Sequence, residues 1–144
     1  MYVDYNKCSY LSWKKYYESP EIMVKQGDVL LVKTASVGKC SYVKTIPMEC
    51  TVNPQILVLK KHRQNPMFLT YLFQISLGQT YIELYKAGST IPTLSEDKIG
   101  NFRFAFPSDN EQNEIVSYLD KRCSSIDASI SKAQREIELL QEYK

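Results

Sequence analysis

Residues 33–40 (KTASVGKC) are the stretch closest to a known chemical motif, the loop that holds the phosphates of a nucleotide. That motif requires glycine at its first position, which gives the backbone room, and Ser or Thr after its lysine, which binds magnesium. Lys33 and Cys40 occupy those two positions. The segment therefore predicts no nucleotide site.

Residues 65–68 (NPMF) match the Asn-Pro-x-aromatic pattern that amino-methyltransferases apply to a flipped base. Such enzymes also need a glycine-rich loop for the methyl donor, and the sequence contains no loop of that composition. Asn65 is a favoured N-cap, and Pro66 is a favoured first residue of a helix. Helix capping accounts for the pair, and we predict no catalytic role for it.

His62 is the only histidine of the chain, and it stands among Lys60, Lys61 and Arg63. Neighbouring positive charge disfavours the protonated imidazole, which makes this a poor setting for a general base. The segment is either a solvated basic loop or a contact to a phosphate group.

The cysteines do not have the spacing of a metal site. None of them forms a C-x-x-C pair, and with a single histidine available a zinc site is not predicted. The four cysteines are Cys8, Cys40, Cys50 and Cys123. Their scatter favours a reducing compartment. Because no paired-carboxylate site is evident either, the sequence predicts a protein that is not an enzyme and needs no cofactor or metal.

The net charge of +2 conceals an asymmetry along the chain. From Asp109 onward there are eight acidic and five basic residues, net −3, whereas the preceding residues hold 13 basic and eight acidic residues, net +5. A basic body suits a polyanionic partner. No apolar run is long enough to span a bilayer and no signal peptide is evident, and a cytoplasmic protein is expected.

A long amphipathic helix is predicted over residues 108–144. Ser108 and Glu111 have the spacing of a capping box, and neither Gly nor Pro follows. Apolar residues recur at alternate spacings of three and four, which is typical of a seam between paired long helices. The seam residues are Val116, Leu119, Cys123, Ile126, Ile130, Ala133, Ile137 and Leu140. The alternative is an amphipathic helix that folds back on its own globule.

The preceding residues predict short strands and helices. Strands are expected at 29–32, 40–44, 55–59 and 102–106, the last with an aromatic face, and helices at 12–17, from 66 to a break at Gly78, at 81–85, and after Ser95. The fold class is therefore α+β, with a small mixed domain over residues 1–107 and a coiled-coil helix over 108–144. Aromatic residues near the N-terminus interleave with Lys7, Lys14 and Lys15. They either stack on nucleic-acid bases or pack on the body, and we favour packing.

Several of these stretches together resemble the specificity subunit of type I restriction-modification systems. The matching segments are residues 27–31 (GDVLL), 35–38 (ASVG), 88–95 (GSTIPTLS), 99, 102–107, 111–112 (EQ), 115, 119–120, 126–127 (ID), 130 and 136–144 (EIELLQEYK). The run from residue 88 to residue 144 is the most specific, because its elements occur in the family's order and spacing.

This resemblance implies a non-catalytic protein that recognises DNA. A full specificity subunit has two target-recognition domains, each followed by a long helix, and the two helices pair antiparallel as a spacer between the halves of a bipartite target. Partner modification subunits methylate adenine with S-adenosylmethionine, and restriction subunits cleave. The chain is expected to correspond to the later part of one recognition domain plus one helix, as a half-length subunit or a shortened piece.

The resemblance leads us to expect that double-stranded DNA is bound by polar and basic residues in connections at strand ends. These residues are Lys33, Thr34, Ser36, Lys39, Lys60, Lys61, Arg63, Lys86, Ser89 and Thr90. The other hypothesis is a protein-interaction scaffold that self-associates through its helix and binds no nucleic acid. Salt-dependent binding to duplex DNA separates the two hypotheses.

Overall fold

A computed structural model of the chain describes residues 2–6 and 8–142. Lys7, one of the basic residues noted near the N-terminus, and the predicted helix positions Tyr143 and Lys144 lie outside the described residues. The chain divides into two compact units, Met1–Phe106 and Pro107–Lys144. The predicted α+β class is confirmed by short antiparallel strands, short helices and one long C-terminal helix.

The elements of the first unit are all short. In chain order they are α1 (Trp13–Tyr17), a 3-10 turn (Pro20–Ile22), β1 (Met23–Val24), β2 (Val29–Val32), β3 (Cys40–Tyr42), β4 (Cys50–Thr51), β5 (Ile56–Leu59), α2 (Pro66–Gln74), α3 (Ser76–Tyr85) and α4 (Glu96–Gly100). The second unit consists of α5 (Asp109–Glu142) and its cap. The predicted strand 29–32 is confirmed, 40–44 and 55–59 are confirmed with shorter bounds, and the β1–β4 pair was not anticipated.

The core of the first unit forms on both sides of a three-stranded antiparallel sheet in the order β3-β2-β5. Successive side chains of a strand point to opposite faces. Leu30 packs with Val24 and Val43, whereas Val29 and Leu31, which have no exposed surface, lie on the other face. Helix α2 packs against β2 and β3. Because both faces of β2 are covered, this strand is a continuous apolar run in sequence.

The predicted helix break at Gly78 is wrong. Helix α2 ends at Gln74, α3 begins at Ser76, and Gly78 lies inside α3. A Cβ atom on Gly78 would lie 2.3 Å from the carbonyl oxygen of Leu72. Glycine is therefore present because α2 and α3 approach each other closely, and its low helix propensity is outweighed by this contact.

Replacing Gly78 by Ala is expected to destabilise the first unit by about 1–3 kcal/mol, because either the backbone of α2 or that of α3 must shift. Gly100→Ala is the matched control, since a Cβ there meets nothing within 4 Å. We expect that control to change stability by no more than about 1 kcal/mol. Urea denaturation of both variants measures the difference, and equal stabilities would contradict the packing role.

The predicted strand at 102–106 is also wrong, although the predicted aromatic face exists. The segment has no ladder partner among the described residues. Its rings pack on helices instead: the ring of Phe102 lies 5.5 Å from that of Phe73 and 4.6 Å from that of Tyr81, and Phe106 contacts Phe68 edge to face. Alternation of apolar residues follows from an extended backbone, whereas a strand also requires a free sheet edge beside it.

The predicted capping box at the start of α5 is confirmed. The backbone N–H and the hydroxyl of Ser108 donate to a carboxylate oxygen of Glu111 at 2.9 and 2.7 Å, and the N–H of Glu111 lies 3.4 Å from the Ser108 hydroxyl oxygen. The helix has 34 residues, which at 1.5 Å per residue makes it about 50 Å long.

These hydrogen bonds from the side chain and then the backbone of Ser108 hold the pKa of Glu111 below its usual value. The cap therefore stabilises the helix above the ordinary glutamate pKa of the unfolded chain, and this contribution is lost as the pH falls through the lowered pKa. We expect carboxyl NMR titration to place Glu111 below the usual glutamate range. In Ser108→Ala the value should return toward that range, and an unchanged value would contradict the assigned cause.

Candidate nucleic-acid interface

Two connections of the first unit lie side by side and form what we call the two-loop surface, residues 33–39 and 86–94. The N–H of Ala35 donates to the carbonyl oxygen of Pro92 at 3.0 Å, and the N–H of Leu94 donates to that of Lys33 at 2.8 Å. Thr34 forms an isolated antiparallel bridge with Thr93. The two loops, which are separated by about 50 residues in sequence, therefore present one joint surface.

Seven of the ten residues predicted to contact DNA belong to the two-loop surface. They are Lys33, Thr34, Ser36, Lys39, Lys86, Ser89 and Thr90. Ser36, Lys39, Ser89 and Thr90 are exposed, and Thr34 is partly buried. These side chains are available for hydrogen bonds to a partner, and the short ones are suited to close contacts with base edges.

Two of the predicted bases on this surface are in ion pairs. The Lys33 ammonium lies 2.6 Å from a carboxylate oxygen of Glu96, and that of Lys86 lies 2.7 Å from one of Glu83. These carboxylates offset the positive charge of both lysines. Lys39, the third lysine of the two-loop surface, forms no ion pair with any residue that the structure describes.

Gly88 shapes the second loop. Its φ angle is +95°, and a Cβ on it would lie 2.6 Å from the carbonyl oxygen of Ile91. Any side chain at this position would be strained and would collide with the loop. The glycine thereby allows Ser89 and Thr90 to occupy the exposed tip of a tight turn closed by the bridge between Ala87 and Thr93.

The other three predicted residues form the basic tip, defined as Lys60, Lys61 and Arg63. Leu59, at the end of β5, pairs with Val29, at the start of β2. The basic tip therefore lies at the opposite end of the sheet from residues 33–39, which follow the last residue of β2. Lys61 and Arg63 are exposed, and neither forms an ion pair within the described part of the chain.

His62 lies between Lys61 and Arg63 of the basic tip, and both of its ring nitrogens contact backbone oxygens. Its Nδ1 lies 2.9 Å from the carbonyl oxygen of Gln64, and its Nε2 lies 3.1 Å from that of Gly27. Because both ring atoms face backbone oxygens, the ring holds the tip against the turn at Gly27, and the structure favours this role over a phosphate contact.

The two segments that resemble chemical motifs have local structural roles. Residues 33–39 lead into strand β3 rather than into the helix that follows a nucleotide-binding loop. The Asn65 side-chain oxygen accepts hydrogen bonds from the N–H groups of Met67 and Phe68 at 2.8 and 3.1 Å, so the predicted N-cap is confirmed. Phe68 is buried in the core.

The predicted seam of α5 is more exposed toward its C-terminal end. Val116, Leu119 and Cys123 are partly buried and Ala133 is exposed. The larger apolar residues that follow Cys123 expose between 50% and 69% of their surface; they are Ile126, Ile130, Ile137 and Leu140. An apolar stripe of this extent on a helix is a candidate interaction surface.

Sequence reasoning did not identify two features of this region. Thr93 joins the two loops through its backbone bridge with Thr34, and Glu96 pairs with Lys33 although 63 residues separate them. Thr93 belongs to the run 88–95, whose resemblance to the family was the signal that could have pointed to it. No local signal could have identified the ion pair, because it depends on the tertiary approach of two loops.

Comparison with known families identifies the class of this protein. The model of the type I restriction modification DNA specificity domain matches residues 6–139, and the chain therefore belongs to this family. The resemblance inferred from the sequence is thus confirmed. The family's role is recognition of a DNA sequence in type I restriction-modification, and the domain is not a catalytic one.

Residues 2–6 and 8–142 contain no helix that is long and apolar enough to cross a membrane. Within the same residues, no three or more His, Cys, Asp or Glu side chains gather in a way that could hold a metal ion.

Proposed function

We propose that this chain is a non-catalytic DNA-recognition subunit, or half-subunit, that directs partner methyltransferase and restriction subunits to a bipartite DNA site. The observation that carries the proposal is the family match over residues 6–139. The geometry of the first unit supports it, because polar connections from distant parts of the chain converge on one exposed surface.

The two predicted groups of DNA-contacting residues have different tasks in this proposal. The basic tip supplies positive charge and contacts phosphates, which provides affinity and orientation. The two-loop surface presents Ser36, Ser89 and Thr90 for hydrogen bonds to base edges, which provides sequence preference. The ion pairs of Lys33 and Lys86 support this division, because they reduce the net charge of the two-loop surface.

Helix α5 provides the second half of the proposed mechanism. Its apolar stripe pairs with the equivalent helix of a second recognition half, and the pair sets the distance between two half-sites. The exposure of Ile126, Ile130, Ile137 and Leu140 supports this assignment, because such a stripe is stabilised when a second helix removes it from water.

The test is fluorescence anisotropy with a labelled duplex of about 30 base pairs between 50 and 200 mM salt, with and without the modification subunit. Affinity should fall steeply with salt, with a log-log slope of about −0.9 for each phosphate contacted. The alternative function, a coiled-coil scaffold, predicts no binding at any salt concentration. Absence of binding under both conditions would refute DNA recognition by this chain.

A further inference from the structure

A half-open cavity of about 510 Å³ lies in the first unit. Residues of the N-terminal segment 3–16 form one side of it, and residues 47–52, around β4, contribute to the other. The floor includes Val24 and Leu30, which belong to the core. None of the residues of the two-loop surface or the basic tip lines this cavity.

Four aromatic side chains contribute to the lining of the cavity. Tyr5, Tyr10, Trp13 and Tyr16 all line it. The rings of Trp13 and Tyr16 stand nearly perpendicular, at 88°, with centroids 5.8 Å apart, and they form a corner. Tyr17 stacks on Trp13 at 6.1 Å without itself lining the cavity. The faces of such rings carry negative partial charge and attract cations.

Among the described residues, the lining contains one charged side chain, the carboxylate of Glu49, and no Lys or Arg. Glu49 forms no ion pair with any residue that the structure describes. Lys7 is not one of the described residues. Burial, and after it the charge of Glu49, raises the pKa of Tyr16, and both residues line the cavity.

Three other polar groups of the lining have hydrogen-bond partners within the protein. The hydroxyl of Tyr5 donates to the carbonyl oxygen of Thr45 at 2.8 Å, and that of Thr51 donates to the carbonyl oxygen of Ile22 at 3.1 Å. The thiol of Cys50 donates to the carbonyl oxygen of Met48 at 3.0 Å. The aromatic rings, the apolar side chains and the one negative charge of the lining therefore set its preference for a ligand, and the hydroxyls of Ser9, Tyr10 and Tyr16 also belong to the lining.

We propose that this cavity binds a small organic cation with an apolar body, of the quaternary ammonium class. Aromatic rings with a nearby carboxylate attract such a group, whose methyl groups also match the apolar floor. A nucleotide or a DNA phosphate does not fit, because the described lining offers no positive charge and Glu49 would repel it. The proposal is independent of the DNA-recognition function.

Trp13 is the only tryptophan of the chain, so its fluorescence reports on the cavity directly. The intact chain is titrated with choline and, separately, with its uncharged carbon isostere 3,3-dimethylbutan-1-ol. We expect a saturable change in Trp13 emission with choline, and binding of the isostere that is about tenfold weaker or more. Inorganic phosphate at the same ionic strength should produce no saturable change.

Matched variants test the two elements of the site. Tyr16→Leu should weaken choline binding about fivefold, whereas Tyr16→Phe retains the ring and should bind normally. Glu49→Gln should weaken it by up to about fivefold. Glu21→Gln removes an equal charge outside the lining and should have no effect. Circular dichroism establishes that each variant is folded.

The proposal would be overturned by no saturable response to choline, by equal affinity for the uncharged isostere, or by choline affinity that is unchanged in folded Glu49→Gln and Tyr16→Leu. The second result would identify a purely apolar cavity. Tighter binding of phosphate than of choline would likewise refute the assigned charge preference. DNA binding is tested with substitutions outside the cavity lining. Either proposal can therefore fail while the other holds.

Discussion

Lys61→Gln combined with Arg63→Gln is expected to weaken DNA binding by this chain about 60-fold at 0.1 M salt. Both side chains are exposed and form no ion pair among the described residues, so their charge is available to phosphates. Removing one phosphate contact should also reduce the salt slope by about 0.9, and removing two should reduce it by about 1.8. Anisotropy titrations at several salt concentrations measure both quantities. Lys60 is left unchanged because its ammonium group lies 3.3 Å from the carbonyl oxygen of Pro20.

The matched control is Lys14→Gln with Lys15→Gln, which removes the same two charges from the exposed helix α1. It should change affinity only a few-fold, through the general field of the protein. A second control, Ser36→Ala with Ser89→Ala, removes no charge and should leave the salt slope unchanged. If the Lys14 and Lys15 variant weakens binding as much as the tip variant, the basic tip has no special role in contacting phosphates.

Ile130→Asp combined with Ile137→Asp is expected to abolish self-association through α5. Both side chains expose about half of their surface in the single chain and lie at equivalent positions of the seam, two turns apart. Removing a packed isoleucine costs about 2–5 kcal/mol, and placing a carboxylate in an apolar interface costs more. Association should therefore weaken by more than about a thousandfold. Sedimentation velocity across a range of concentrations measures the effect.

Ser124→Asp with Ser131→Asp is the matched control for the helix. These substitutions add the same two charges to exposed positions of α5, each one residue after a seam position. The control should associate like the unmodified chain, and circular dichroism should show equal helix content in both variants. If the seam variant still associates, the chain does not self-associate through this apolar stripe.

Features determined by neighbouring residues could be predicted from the sequence. The cap of α2 at Asn65 and the capping box of α5 at Ser108 depend on hydrogen bonds between residues two or three positions apart. Strand β2 is evident because its apolar run is continuous. The family assignment rested on short motifs in a fixed order, and the match over residues 6–139 confirmed it.

Features that depend on distant partners could not be predicted in this way. Gly78 looks like a helix breaker in sequence, yet its role is to accommodate the backbone of Leu72. The alternation of aromatic residues over 102–106 indicates a strand, but their rings pack on α2 and α3. The segment forms no ladder with any described strand. In both cases the local pattern is compatible with two structures, and packing decides between them.

The sequence by itself therefore determined the class of the protein, the long helix with its apolar stripe, and the types of residue available to contact DNA. Only the tertiary structure decided that Lys33 pairs with Glu96, 63 residues away, and that the basic tip lies at the other end of the sheet from the two-loop surface. The physical reason is that the position and net charge of a surface depend on strand register and on contacts between segments far apart in the chain, which local sequence does not encode.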